Sequence, residues 1–380
     1  MKFSTSIKKL SEAVSHATLV LPAKAADPRF DSIALTLENN TLTVFASDGE
    51  FSLSRRLTVE GDGNGAIALP SRRFNEAVSN LYDAQADFKA EQKEAEGTMS
   101  FSIKTNLGSY KVAGGSEKTE KEDIIKSNDL EIKLDVLQLK DIADKTLFAV
   151  STDSMRPSMT GVLFELEPKM LRAVATDGQR LVRATKKFDT GAKEKTKVII
   201  PHRVLSVAAR VLPGEGEVVL TFDLKVQRIS FECGDVRLIA SLIAENYPNY
   251  EAVIPLENDK RLVIKRQEMF QTVRRVGRYS DRRDVRLQVS ENTIKVSAEN
   301  QNEGSFAEET LLCEYKNDGM LIGFKSDLIA DALDHLETED VVFEFSSPTR
   351  ATIVKPKHDE TKEKKPEDIL MLVMPYRLNN

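Results

Sequence analysis

The chain has 380 residues, 41% apolar and 30% charged, and its 54 basic and 60 acidic side chains leave a net charge of −6. That length suggests two or three domains. Taken alone, the acidic total argues against nucleic acid as a partner, but affinity for phosphate follows local charge, so segregated basic segments matter more. No apolar run approaches the roughly 20 residues of a membrane span, and Met1-Lys2-Phe3-Ser4 opens no apolar leader. Only Cys233 and Cys313 occur, far apart and outside any CxxC pair. We expect a reduced, cytoplasmic protein in which both are small buried hydrophobes.

In chain order, one pattern returns three times. Ile7, Leu10 and Val14 mark a first helix. Two alternating strands, Thr41–Ala46 and Phe51–Ser54, flank the turn Ser47-Asp48-Gly49, and Asp-Gly between such strands signals a hairpin. The apolar run Ala66–Pro70 leads into Phe74, Ala77, Val78 and Leu81, one face of a second helix. The second copy has Leu139, Ile142 and Ala143, then Leu171–Ala175, Thr176-Asp177-Gly178 and Arg180–Val182, then Val198–Pro201, then Leu205, Ala208, Ala209 and Leu212. The third has Met269, Val273 and Val276, then Thr293–Asn300 before a longer polar turn, then Met320–Phe324, then Ile329, Ala332, Leu333 and Leu336. The interval is about 125 residues, a common domain size. Each unit reads helix, strands, helix, strands, so the fold class is α+β, with antiparallel sheet on one side and helices on the other. We place the domains at 1–125, 126–255 and 256–380, with boundaries in Ser116–Asn128 and Pro255–Lys260. Two such chains could close six units into a ring; a linear three-domain protein is the alternative.

Basic residues gather on the helices. Lys265, Arg266, Arg274, Arg275, Arg278, Arg282 and Arg283 crowd the first helix of the third unit; Arg72, Arg73, His202, Arg203 and Arg210 flank second helices; Lys8, Lys9, Lys140 and Lys145 mark the other first helices. These are either ordinary solvated faces or one basic surface on an acidic protein. The helix at 325–336 resists the second reading, with Asp327, Asp331 and Asp334 against Lys325. With no Trp, stacking on single strands is disfavoured and contact with duplex backbone fits better.

Catalytic motifs are not found. There is no P-loop and no GxSxG elbow, and Gly61-Asp62-Gly63-Asn64-Gly65 reads as a flexible loop. His16, His202, His335 and His358 lack metal-ligand spacing. Asp48 and Asp177 could be paired carboxylates, but Asp-Gly makes them turn residues first. The expectation is a non-enzyme with no cofactor and no metal.

Two stretches go beyond pattern: Val174-Ala175-Thr176-Asp177-Gly178-Gln179-Arg180-Leu181, and the tail Val373-Met374-Pro375-Tyr376-Arg377-Leu378. With Val285–Asn292, Asn246-Tyr247-Pro248-Asn249-Tyr250 and the opening Met1-Lys2-Phe3, they resemble the bacterial DNA polymerase III beta subunit family, the sliding clamps, over the whole chain. The resemblance implies three clamp domains per chain in a head-to-tail dimeric ring, with sheets outside and helices lining a central pore. It implies processivity for a replicative DNA polymerase on double-stranded DNA of any sequence. It also implies a separate clamp loader ATPase, and other polymerases and repair proteins that bind through a linear motif.

Carried over residue by residue, the peptide-binding groove comprises Met159, Thr176, Gly178, Gln179, Arg180, Leu181, Pro248, Val253, Leu372, Val373, Met374, Pro375, Tyr376, Arg377 and Leu378, with Arg156 at its mouth. The residue pattern alone makes that tail a core strand. Lys24, Arg72, Arg73, Arg203, Arg210, Arg274 and Arg275 are implied to face DNA; Tyr110 and Val112 are implied to meet Arg278 and Tyr279 across the dimer. The chain departs from the family at Gln179, Ala252 and Tyr376, which is expected to narrow the slot. It departs also in the charged insert Lys355–Asp368, expected to be a mobile loop, and in the extra Asn379-Asn380. An interaction scaffold of the same fold that does not encircle DNA is the alternative function.

Overall fold

The structure, a computed structural model, describes residues 1–22, 27–82, 84–92, 98–115, 125, 128–358 and 368–378. The first repeat runs β1 (Lys2–Ser6), α1 (Ile7–Thr18), β2 (Ser32–Glu38), β3 (Thr41–Ser47), β4 (Phe51–Thr58), β5 (Glu60–Asp62), β6 (Gly65–Pro70), α2 (Ser71–Ser79), β7 (Gln85–Gln92), β8 (Thr98–Lys104) and β9 (Ser109–Gly115). The second runs β10 (Leu130–Asp135), α3 (Val136–Leu147), β11 (Gly161–Glu167), β12 (Met170–Thr176), β13 (Arg180–Lys186), β14 (Thr196–Pro201), α4 (His202–Val211), β15 (Glu217–Asp223), β16 (Arg228–Cys233) and β17 (Val236–Ser241). The third runs β18 (Lys260–Lys265), α5 (Arg266–Val276), β19 (Asp284–Ser290), β20 (Thr293–Asn300), β21 (Ser305–Leu312), β22 (Glu314–Tyr315), β23 (Met320–Lys325), α6 (Ser326–Asp334), β24 (Asp340–Phe345), β25 (Thr352–Pro356) and β26 (Asp368–Val373).

All six expected helices are present, and their apolar faces are buried: Leu10 and Val14, Phe74 and Val78, Leu139 and Ile142, Leu205 and Ala208, Met269 and Val273, Ile329 and Leu333. Each first helix is preceded by a strand, β1, β10 or β18, so the repeat begins with a strand and not with a helix. In β10 the signal was legible, since Leu130, Ile132 and Leu134 alternate inward with exposed Glu131, Lys133 and Asp135.

The chain packs as two compact units, Met1–Leu139 with Arg203–Leu242, and Lys140–His202 with Ile243–Asn380. In the first, thirteen strands form one sheet in the order β10-β15-β16-β17-β4-β3-β2-β6-β9-β8-β7-β1-β5. Its seam between repeats is β17 against β4, with Leu238 opposite Leu53. In the second, nine strands run β14-β11-β12-β13-β26-β25-β24-β18-β22, and β21-β20-β19-β23 form a separate sheet. There the corresponding seam is β13 against β26, with Leu181 opposite Leu372. Every pairing is antiparallel, including both seams. Middle-repeat strands thus finish the sheets of both neighbours, and for that reason the compact units do not follow the repeat. The expected boundary at Ser116–Asn128 lies mostly outside the described residues. Of the insert Lys355–Asp368, Lys355 belongs to β25 and pairs with Glu344 at 2.8 Å. Asp368 opens β26, and 359–367 lie outside the described residues.

Candidate functional site

The hairpin between β12 and β13 is built by its own sequence. Asp177 Oδ1 accepts the N–H groups of Gln179 at 2.8 Å and Arg180 at 3.0 Å. Thr176 Oγ1 donates to the Arg180 carbonyl at 2.7 Å and accepts the Gly178 N–H at 3.2 Å. Gly178 has φ +89°, a conformation that a side chain resists. Asp177 is therefore a turn residue, as expected, and Asp48 repeats the arrangement, accepting from Glu50 and Phe51 at 3.0 and 2.8 Å.

Arg180 anchors this turn. Its Nε donates to Asp177 at 3.0 Å, an Nη bonds Asp331 of α6, and the guanidinium lies 5.3 Å from the Phe148 ring centroid. Phe148 stacks in turn on His335, centroids 4.0 Å apart. Asp331 is thus neutralised within the fold, which answers part of the acidic-helix problem. Sequence spacing carries no sign of the Arg180–Asp331 pair or the Phe148–His335 stack, because both join residues more than 150 positions apart.

The tail closes the arrangement. The Met374 N–H donates to the Gln179 carbonyl at 2.8 Å, and the Tyr376 N–H to the Gly323 carbonyl of β23 at 3.0 Å. A Cβ on Gly323 would lie 2.8 Å from the Tyr376 ring and 2.9 Å from Leu378 Cδ2, so this glycine is what lets the tail lie flat. Tyr376 is therefore spent on β23, with Lys325 Nζ 5.9 Å from its ring centroid, and does not narrow a slot beside the turn. Leu378 is spent in the same way.

Beneath the turn, Leu181 and Leu372 belong to one buried cluster with Leu163, Val174, Ile199, Tyr250, Ile353 and Leu370. Leu181, Leu372 and Val373 are at most 2% exposed. They form the floor and interior and offer a ligand no surface, a correction to their placement in the groove lining. Residues 368–373 are the core strand that the residue pattern gave; only 374–378 leave the sheet. Segment 243–254 packs Ile243, Tyr247, Tyr250 and Ile254 on the same cluster while Pro248 and Val253 stay exposed. Val253, Met374 and Met155 are 55%, 40% and 86% exposed, and Gln179 and Arg377 face solvent. Met159 is buried under Gly178, and Arg156 Nη1 comes within 3.4 Å of where a Gly178 Cβ would stand. The result is an open apolar rim, rich in adaptable methionine, around polar turn groups.

A buried ionic knot supports that floor. Glu165, 1% exposed, accepts from Tyr250 Oη at 2.7 Å and pairs with Arg172 at 3.1 Å and Lys197 at 2.9 Å. Burial pushes its carboxyl up, but the Tyr250 and Lys197 hydrogen bonds and the charges of Lys197 and Lys195 prevail and hold it below the usual value. Tyr250 is pushed up to about 12 by burial and its bond to Glu165.

The basic residues divide. Arg73, Arg210 and Arg274 are exposed, and Arg72 is exposed beside Glu76 at 3.1 Å. Lys24 lies outside the described residues. Arg203 is a correction: its guanidinium is held by Asp48 at 2.5 Å and by the carbonyls of Leu19 and Val20, so its charge is already used. Arg275 forks onto Glu309 at 2.9 and 2.7 Å. Lys145 is 2% exposed and pairs with Asp141 at 3.0 Å and Glu337 at 3.4 Å, so it marks no basic face.

The repeat also exposes two strand edges. β9 matches β17 and β26 in order, yet its pairing with β6 is a single bridge, Ala68 to Gly115. β21 matches β4 and β13, yet among the described residues it pairs only with β20. Tyr110 on β9 is 45% exposed, Phe306 and Leu312 on β21 are 58% and 78% exposed, and Tyr279 beside β21 is 46% exposed. Val112 is 8% exposed, so its side chain lies inside the fold. Phe306 and Leu312 escaped the sequence reading because the longer polar turn hid their strand.

Three consecutive sequence profiles match: the DNA polymerase III beta subunit N-terminal domain over residues 1–110, central domain over 133–249 and C-terminal domain over 251–369. The chain belongs to the DNA polymerase III beta subunit family. Similar relatives include the beta sliding clamps of Pseudomonas aeruginosa and Vibrio cholerae, each 26% identical over the whole of both chains. Among solved structures, the sliding clamp of Pseudomonas aeruginosa bound to griselimycin superposes with a TM-score of 0.89 at 24% identity. The DNA polymerase III beta subunit of Thermotoga maritima does so with 0.89 at 20%, again over 100% of each chain. At those identities the superpositions establish the fold. Three clamp domains of antiparallel sheet and helix are thus the architecture, as the threefold repeat implied. The family is a processivity factor of DNA polymerase III.

Proposed function

We propose that this chain works as a DNA sliding clamp: two copies close head to tail around duplex DNA, and the hairpin at Gly178 with the tail at Met374 receives polymerases and other partners. Family membership carries the first half. For closure, the repeat supplies a physical reason. Each seam inside the chain joins a β9-type strand to a β4-type strand, and β9 and β21 are the remaining strands of those two types. Pairing β9 of one copy with β21 of the next would repeat the seam and remove two hazardous open edges. Tyr110, Tyr279, Phe306 and Leu312 would be covered there. We place the three domains at 1–125, 126–255 and 256–380, and read the protein as non-catalytic, cytoplasmic and dependent on a separate loader ATPase.

For DNA, Arg73, Arg210 and Arg274 are the pore-facing candidates that keep free charge, Arg72 is one that shares an exposed pair with Glu76, and Lys24 is retained from sequence. For partners, the apolar rim of Pro248, Val253 and Met374 suits a Leu or Phe from a linear motif, and exposed Gln179 and Arg377 suit its polar backbone. Topological binding is tested on circular and linear DNA across a salt series. A clamp stays on closed circles at high salt and is released when they are cut. Equal, log-linear loss from both forms would make the chain a surface binder or a scaffold.

A further inference from the structure

In the third repeat, the end of α5, the turn after it and the start of α6 enclose a cleft of about 200 Å³ lined by Arg274, Arg278, Arg283, Ser326 and Asp327. Its construction is specific. A Cβ on Gly277 would stand 2.5 Å from Ser326 Cβ and Oγ, so only glycine lets the turn carrying Arg278 close on α6. Arg283 holds φ +57°, and its carbonyl accepts the Ser326 N–H at 2.7 Å. Neighbouring charges are occupied elsewhere: Lys325 pairs with Asp284 at 2.5 Å, and Asp281 accepts from Asn300 at 2.7 Å.

Three arginines therefore line one cleft with a single acidic residue, Asp327. None of the three has an ion pair among the described residues. Ser326 is 2% exposed and lines the cleft. Three like charges set against one carboxylate repel. One ligand chemistry satisfies all of these groups: a compact dianion with several acceptor oxygens. Guanidinium forks match phosphate geometry, and the N-terminus of α6 adds a favourable dipole.

We propose that this cleft is a phosphate-binding site. Its source is either the backbone of the encircled duplex, which rests on the clamp reading above, or a free phosphate. It also reassigns Arg278 from the dimer contact implied by resemblance to an anion site shared with Arg274. The test is titration of inorganic phosphate into the full-length protein at low salt, followed by the amide shifts of Arg278, Arg283 and Ser326. Saturable shifts are expected, with the midpoint weakened at least tenfold in Arg278→Gln and in Arg283→Asn, a residue that tolerates the turn conformation. Equal binding by the variants, or no shifts in the wild type, overturns the proposal. So does a loss of self-association in the variants with no response to phosphate, which would give the cleft to a carboxylate of the second copy. A DNA arm separates the sources. If the duplex supplies the phosphate, the salt slope for release from linear DNA falls by about one in the variants; if that slope is unchanged while phosphate binding is lost, the ligand is a free phosphate. Wild-type protein that leaves closed circles would defeat the clamp reading, and the phosphate titration would still decide the cleft.

Discussion

The hairpins at Gly49 and Gly178 are copies of one design with opposite fates. Each has an Asp whose Oδ1 accepts two N–H groups, a glycine at positive φ and an arginine on the outer carboxylate oxygen. At Gly49 the Phe30 ring lies 3.1 Å from where a Cβ would stand. At Gly178 the nearest atoms belong to Arg156 and Met159, 3.4 and 4.0 Å away. The strand beside the second turn ends in a tail that brings exposed Met374 alongside. A repeat fixes a turn's backbone; the side chains set beside it, Phe30 at one and Arg156 with Met159 at the other, decide what surface the turn presents.

The largest effect is expected beneath the open turn. Glu165→Gln leaves Arg172 and Lys197 facing a neutral group and should cost about 1.5–3 kcal/mol, read by denaturant unfolding at neutral pH. The sign with pH follows from its lowered carboxyl. That stabilisation is fully present above the ordinary carboxylate pKa and is lost as pH falls through the lowered folded value. The gap between wild type and variant should therefore narrow below pH of about 4. A gap independent of pH would show that Glu165 is not the knot's charge.

Next comes the tail. Gly323→Val would drive Tyr376 and Leu378 off β23, at about 1–3 kcal/mol, and should weaken a Leu/Phe-containing peptide at least tenfold with the dimer intact. Unchanged peptide affinity would remove 374–378 from the site.

The two glycines then sharpen the contrast. Alanine at either meets positive φ, costing about 1–2 kcal/mol. Gly49→Ala should cost more because Phe30 must also move, and only Gly178→Ala should affect peptide binding. Smallest is Arg203→Gln: its exposed pair with Asp48 is worth at most about 1 kcal/mol. The salt slope of DNA release should not change, whereas Arg73→Gln should lower it by about one.

Much of this was legible in the sequence. Apolar spacing located all six helices, and Asp-Gly located both turns, because period and turn chemistry are local. The resemblance gave the family and drew the groove around Gly178 and Met374. Sequence reading could not separate floor from lining. Leu372 and Met374 look alike as apolar residues, yet one lies in β26 and the other beyond its end. Nor could it tell spent charge from free charge, since Arg203 and Lys145 are neutralised by carboxylates and carbonyls far away in the chain. The edge of β21 emerged only once the repeat could be laid over the pairings.

The contrast between the hairpins is tested most directly by titrating a Leu/Phe-containing peptide into the isotope-labelled protein and reading backbone amides and methyl groups. Saturable shifts are expected at Gly178, Gln179, Val253 and Met374, with Gly49 and Phe51 unmoved. Shifts centred on Gly49, or none at Gly178 and Met374 while the peptide binds, would contradict it.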